Sequence, residues 1–406
     1  MKIRSITYFC NPKYPLDENA LRKAGEFLAQ AKSAYEAAGY EVQTTRLATI
    51  PFPQLLNGKV DETPLLAQKM SEMLTQIGVV YAALGPALIE FPESYAVIPE
   101  AIAAGENIFF GGVMADRKNG ISLQAVKACA KIIQQASTIT PDGFANLRFA
   151  ALANVKAGAP FFPAAYHDGD EPTFAIAVES ADLAVDAFSG QQSMDEGRRE
   201  LIASITRHGQ AIARISNNEL SNTRFTGIDF SLAPFPGDVH SLGRAVENMG
   251  VSKIGLHGSL AAAALLTEAV DRADFPHTGF SGFMQPVLED SVLAQRAAEG
   301  TLTIKDALLY STVCGTGLDT VPLAGDTTPE QMTPLLLDLC ALAMRLDKPL
   351  TARLMPVPGK KAGDTTAFDF GFFANSKVMQ LESSKLSGAF SGDGNIQLSA
   401  RKNDAS

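Results

Sequence analysis

Short apolar runs alternate with amphipathic helical stretches along almost the whole chain, and this alternation limits the fold more than any other feature. "KIRSITYF" precedes "LRKAGEFLAQAKSAYEAAG", whose apolar positions recur at helical spacing. "YEVQTTRL", "VVYAALG", "NIFFGGVM", "LRFAALANV", "TFAIAVES", "GIDFSLAP", "SKIGLHG", "SGFMQPV", "GLDTVPL" and "TARLMPV" follow as strand candidates. Each is short and bounded by Gly, Pro, Asn or Asp. The count, roughly ten to twelve, exceeds the eight strands of the common (β/α)8 barrel. It predicts an α/β fold with a largely parallel sheet, open or closed into a barrel. No Pro/Ser-rich linker divides the chain, so residues 1–383 are expected to form one α/β domain. The Gly/Ser-rich stretch 384–406 reads as a polar tail, either a late hairpin with a loose end or disorder.

Composition removes several classes of function. With 46 % hydrophobic and 19 % charged residues, the chain can bury a sizeable core. A formal net charge of −10 argues against nucleic acid or an anionic membrane as partner. No run reaches the roughly 18 apolar residues of a membrane span. Cys10, Cys129, Cys314 and Cys340 are scattered, with no C-x-x-C pair, which fits reduced thiols in a cytoplasm and not a zinc knuckle. "GTGLD" and "FFGGV" are incomplete as dinucleotide or phosphate-loop fingerprints, so neither NAD nor ATP is expected.

Side chains alternate across a strand, and the strands here sort into an apolar and a small polar face. In "GIDFSL", Ile228, Phe230 and Leu232 share one face, Asp229 and Ser231 the other. In "TFAIAVES", Phe174, Ile176 and Val178 oppose Ala175, Ala177 and Glu179. In "LRFAALANV", Phe149, Ala151 and Ala153 oppose Ala150, Leu152 and Asn154. Arg353 opposes Leu354, His257 sits opposite Leu256, and Gln285 follows Ser281 and Phe283 on one side. The polar member comes late in each strand, where α/β sheets bind ligands.

Asp229, His257, Asp319 and Cys314 are the catalytic candidates. Asp229 interrupts an apolar run, and a buried charge there must be paired or face a wet cavity. His257 stands before Gly258 and Ser259, which open an Ala-rich helix whose free N–H groups suit an anion. Cys314 lies between glycines and reads either as a thiolate nucleophile or as a small core thiol. Asn154, His167, Glu179, Ser231, Gly258, Ser259, Gln285 and Arg353 are the substrate-binding candidates, His167 from the loop "APFFPAAYHDGD". Glu179, Asp229 and His257 carry the oxygen and nitrogen donors of a divalent metal site, although no H-x-x-x-H spacing supports one.

"PFFPAAYHDG", "GIDFSLAPFP", "GLHGSLAAAALL" and "VCGTGLDTVPLAGDTTPE" resemble the family catalogued as domain of unknown function 711, whose better-known branch is uncharacterised protein family 0210. The resemblance is clearest from Asn154 to Val378. It implies the ten-stranded α/β barrel of pyruvate formate-lyase and the anaerobic ribonucleotide reductases. Those enzymes use a cysteine on a loop inside the barrel and a C-terminal glycyl radical. Cys314 can be placed on such a loop. "DFGFFANSKVMQL" is the nearest late glycine segment and does not match a glycyl-radical loop. The resemblance therefore implies a fold and positions, not a reaction.

The expectation is a cytoplasmic homo-oligomer that takes a small polar or anionic metabolite in a barrel lumen. Asp229 and His257 would do hydrolase- or lyase-type acid–base work there. The alternative is a metabolite-binding or regulatory scaffold without turnover.

Overall fold

The computed structural model describes residues 1–190 and 193–400. Among them eleven strands form one sheet: β1 (Lys2–Cys10), β2 (Val42–Thr49), β3 (Tyr81–Ala87), β4 (Ile108–Asp116), β5 (Gly120–Ser122), β6 (Phe149–Ala153), β7 (Thr173–Glu179), β8 (Arg224–Asp229), β9 (Gly317–Ala324), β10 (Leu350–Val357) and β11 (Asn395–Ile396). The main order is β8-β7-β1-β2-β3-β4-β6-β10-β9, with β5 joined to β4 and β11 to β5.

The sheet has two parallel sets. β1, β2, β3, β4 and β6 run one way. β7 pairs parallel with β8, and β9 with β10. The sets meet antiparallel at β1/β7 and at β6/β10. The segment from His277 to Pro286 contacts both terminal strands through single parallel bridges. Ile228 meets His277, Leu232 meets Phe283, and Pro286 meets Asp319.

Parallel neighbours need crossovers, and helices supply them. The helix Glu18–Ala37 links β1 to β2 and starts where Asp17 accepts the N–H groups of Asn19 and Ala20. It buries Leu21, Ala24, Phe27, Leu28, Ala31 and Tyr35 at helical spacing. Most outward strand residues anticipated from alternation join this helix-side core: Ile228, Phe230 and Leu232; Phe174, Ile176 and Val178; Phe149, Ala151 and Ala153; Leu354. Leu256 does not; it is exposed.

The opposite, inner face is lined by small residues such as Ala48, Ala83, Ala150 and Ala175. Their size leaves room for the β6–β7 connection to enter. Phe162 and Ala165 pack there on Phe9 and Phe109, and Ala159 and Ala164 on Val113 and Leu152. The Pro160 carbonyl lies 3.5 Å from the Thr7 hydroxyl, and His167 donates its backbone N–H to Thr49 O at 2.9 Å.

Two expected strands differ. "SKIGLHG" is a series of turns, because Gly255 and Gly258 hold φ of 108° and 104°, which bends the backbone out of strand geometry. "SGFMQPV" is extended but irregular, with Gly279 and Ser281 at φ of 65° and 38°. Part of the polar tail packs against the sheet. β11 pairs with β5, and Lys127 donates to the Ser391 and Gly392 carbonyls. Residues 401–406 of that tail lie outside the described residues.

Candidate functional site

A cavity of about 100 Å3 lies on the inner face. Because the two strand sets are antiparallel, it gathers the amino ends of one and the carboxyl ends of the other. Arg4 comes from early in β1, Tyr81 from the start of β3, and Arg46, level with Tyr81, from the middle of β2; Ala177 and Asp229 come from the ends of β7 and β8, and Arg353 from within β10.

Arg353 and Arg4 are each paired with carboxylates. Arg353 Nε lies 2.5 Å from Asp319 Oδ1, and its Nη2 2.9 Å from Asp319 Oδ2 and 2.8 Å from Glu289 Oε1. Arg353, Asp319 and Glu289 are all buried. Arg4 forms an ion pair with the other Glu289 oxygen. Burial pushes the Glu289 carboxyl up, but Arg4, Arg353 and Arg46 together hold it below the ordinary range.

Arg46 is different. Its Nε donates to Thr44 Oγ1 at 2.9 Å, and its guanidinium carbon sits 5.0 Å from the Phe162 ring centre. Among the described residues no carboxylate pairs with it. Burial and the neighbouring Arg4 push its pKa down to about 9. This is a cation in the cavity wall with open donors and no ion-paired carboxylate.

Asp229 lines the cavity but is spent on holding the chain. Its Oδ2 accepts the Phe280 N–H at 2.9 Å; its Oδ1 accepts the Ser281 N–H at 3.0 Å and the Ser231 hydroxyl at 2.6 Å. Burial raises the carboxyl and these three bonds pull it back. The carboxylate thereby fastens the His277–Pro286 segment to the end of β8.

His257 does not join it. It is exposed in the surface turn before the helix Ser259–Arg272 and lies outside the cavity lining. Gly258 is exposed there too, and Ser259 closes that turn on itself, donating to Leu256 O and accepting the Gly255 N–H. The expected Asp229–His257 pair is therefore not assembled. Glu179 is buried at the end of β7, where Gln43 donates to it at 2.7 Å. Burial raises its carboxyl, opposed by Arg4 and Gln43. Gln285 is a packing bolt, its amide nitrogen 2.7 Å from Ala307 O and 3.2 Å from Gly317 O. Asn154 turns the chain at φ 55° and reaches Asp347 at 3.3 Å. His167 is buried on the β6–β7 connection, with its Nε2 lacking a partner.

Cys314 is buried in the turn before β9, 3.8 Å from the Gln285 amide. The segment that enters the inner face, 154–172, contains no cysteine, so Cys314 does not occupy such a loop. Among the described residues no three His, Cys, Asp or Glu side chains converge to hold a metal ion, so Glu179, Asp229 and His257 do not form one site. Among those same residues no helix is long and apolar enough to cross a membrane.

Arg4, Arg46 and Glu289 were missed by sequence reasoning. The signal was available: Arg4 and Arg46 are charges inside the strand runs "KIRSITYF" and "YEVQTTRL". Arg4 stands near a strand start, where a rule based on carboxyl ends does not look; Arg46 comes late in its run, where that rule does look.

Fold and site define a mixed α/β protein with a large central sheet and a buried, arginine-bearing cavity. The chain belongs to the family described as Uncharacterised ACR (DUF711), which it matches over residues 1–376. It is 31% identical over 356 residues to a UPF0210 protein of Pyrobaculum arsenaticum, covering 82% of this chain and 78% of that one. It is 33% identical over 341 residues to a UPF0210 protein of Syntrophobacter fumaroxidans, covering 78% and 74%. With a UPF0210 protein of Acetivibrio thermocellus the identity is 28% over 382 residues, covering 89% and 84%.

Proposed function

We propose that the sheet wraps into a ten-membered α/β barrel whose lumen takes up a small anionic metabolite, with Arg46 as the anion contact. The three single bridges made by His277–Pro286 support counting that segment as the tenth member. The single observation that carries the ligand reading is the unpaired Arg46 guanidinium in the cavity wall. A half-buried cation with no carboxylate partner is costly, and an incoming anion reduces that cost. Four buried free cysteines support a reducing, cytoplasmic setting as part of the same reading. Hydrolase or lyase chemistry by Asp229 and His257 has no comparable support, since Asp229 is bonded to backbone and His257 is exposed.

Thermal unfolding in the presence of small acids tests the proposal. At about 100 times its Kd, a ligand adds about 2.7 kcal/mol and raises Tm by several degrees. The neutral amide of the same acid is expected to leave Tm unchanged, as is the acid itself with Arg46→Gln. Equal shifts for acid and amide would sink the anion reading.

A further inference from the structure

We infer that the ligand is a small monocarboxylate with an apolar body, a short branched or aromatic acid, and not a phosphate or a dicarboxylate. The inference rests on the anion-site reading above and sharpens it.

Charge comes first. Three arginines face the cavity, but Arg4 and Arg353 are already bound by Glu289 and Asp319. Arg46 alone of the three has no carboxylate partner. Asp229 and Glu289 line the same space, so a second negative charge on the ligand would meet carboxylates. One free cation among acidic neighbours matches one negative charge.

Shape comes next. Thr44 holds Arg46 at Nε, and Phe162 lies against the guanidinium. The two Nη groups are left for the ligand, and such a fork matches the two oxygens of a planar carboxylate. Much of the remaining wall is apolar: Phe109, Phe161, Phe162, Phe370 and Phe372, with Tyr81 among them. Its polar members Gln43 and Ser231 already donate to Glu179 and Asp229.

Size sets the limit. An apolar cavity of about 150 Å3 accepts benzene. One of about 100 Å3 holds a body of similar or smaller bulk.

Calorimetric titration of the full chain decides the matter, with isovalerate, benzoate, isovaleramide, succinate and inorganic phosphate as probes. The expected result is that isovalerate or benzoate binds at least tenfold tighter than succinate, phosphate or isovaleramide. Arg46→Gln, shown folded by circular dichroism, is expected to weaken that binding at least tenfold. If succinate or phosphate binds as tightly as the monocarboxylates, and Arg46→Gln still abolishes it, the ligand class is overturned while the anion site stands. If no anion binds, if isovaleramide binds equally well, or if Arg46→Gln changes nothing, both readings fall. Should the variant not fold, selectivity among the five probes on the unaltered protein decides alone.

Discussion

The two strand sets bring unequal charge to one cavity. The set beginning with β1 supplies Arg4 and Arg46; the other side supplies Arg353 with Asp229, Asp319 and Glu289. Arg353 finds its carboxylates on its own side, and Arg4 takes the remaining Glu289 oxygen across the gap. Arg46 is left over. Two arginines on the same wall thus have opposite standing, one a structural tie and the other an open donor.

The sharpest way to break that contrast is to remove each in turn. Arg353→Met leaves Glu289 and Asp319 buried with too little positive charge. Breaking a buried pair in this way costs about 3–5 kcal/mol. Denaturant unfolding should show that loss as a lower midpoint at unchanged slope. A loss under about 1 kcal/mol would mean that the Arg353 cluster is wetter than its burial indicates.

The next effect belongs to Asp229. Asp229→Ala strands the Phe280 and Ser281 N–H groups in a buried place, at about 1–3 kcal/mol for each unsatisfied group. Gly279→Ala attacks the same joint, since its backbone holds φ of 65° and a Cβ would stand 2.3 Å from Asp229 Oδ2. Both variants should raise hydrogen exchange in 277–286 before the rest of the sheet opens. Uniform loosening across both strand sets would show that the joint is not a local fastening.

That joint marks where sequence reasoning worked and where it stopped. Alternation placed Ile228 and Phe230 in the helix-side core and turned Asp229 and Ser231 toward the cavity, because the strand period of two is strict. The same period placed Arg353 opposite Leu354. It failed at "SKIGLHG", where glycines with positive φ replace the strand and His257 ends at the surface. It missed Arg4 for a topological reason. A ligand at the carboxyl ends of one set lies at the amino ends of the antiparallel set, and only pairing partners reveal that. Arg46, late in "YEVQTTRL", was legible by the carboxyl-end rule itself. The carboxylate's partners were likewise out of reach, since Phe280 and Ser281 are distant in the chain and bond through backbone N–H groups.

Arg46→Met completes the arginine comparison with a smaller change in stability. The substitution removes an unpaired, half-buried charge and keeps most of the packing on Phe162. The expected shift is within about 1 kcal/mol, in either direction. A loss as large as that of Arg353→Met would reveal a counter-charge that the geometry does not contain.

The smallest effect concerns the connection that joins the two strand sets. Burial holds His167 below the usual histidine value, opposed by Asp168. Burial and Arg207 do the same to His208, which meets the Tyr40 hydroxyl on the outer side. A group whose folded pKa is depressed stays neutral in the fold while the unfolded chain takes up its proton. Stability is therefore full above the ordinary value of about 6.5 and falls as pH drops toward the folded values. The loss is at most about 1.4 kcal/mol per pH unit for each histidine. Urea unfolding at pH 7.5 and 5.5 should show it, and His167→Asn should remove only the share that comes from the inner connection. If His167→Asn leaves the acid sensitivity whole, the buried imidazole on the inner face is already solvated. The inner wall between the two strand sets would then be wetter than the outer core.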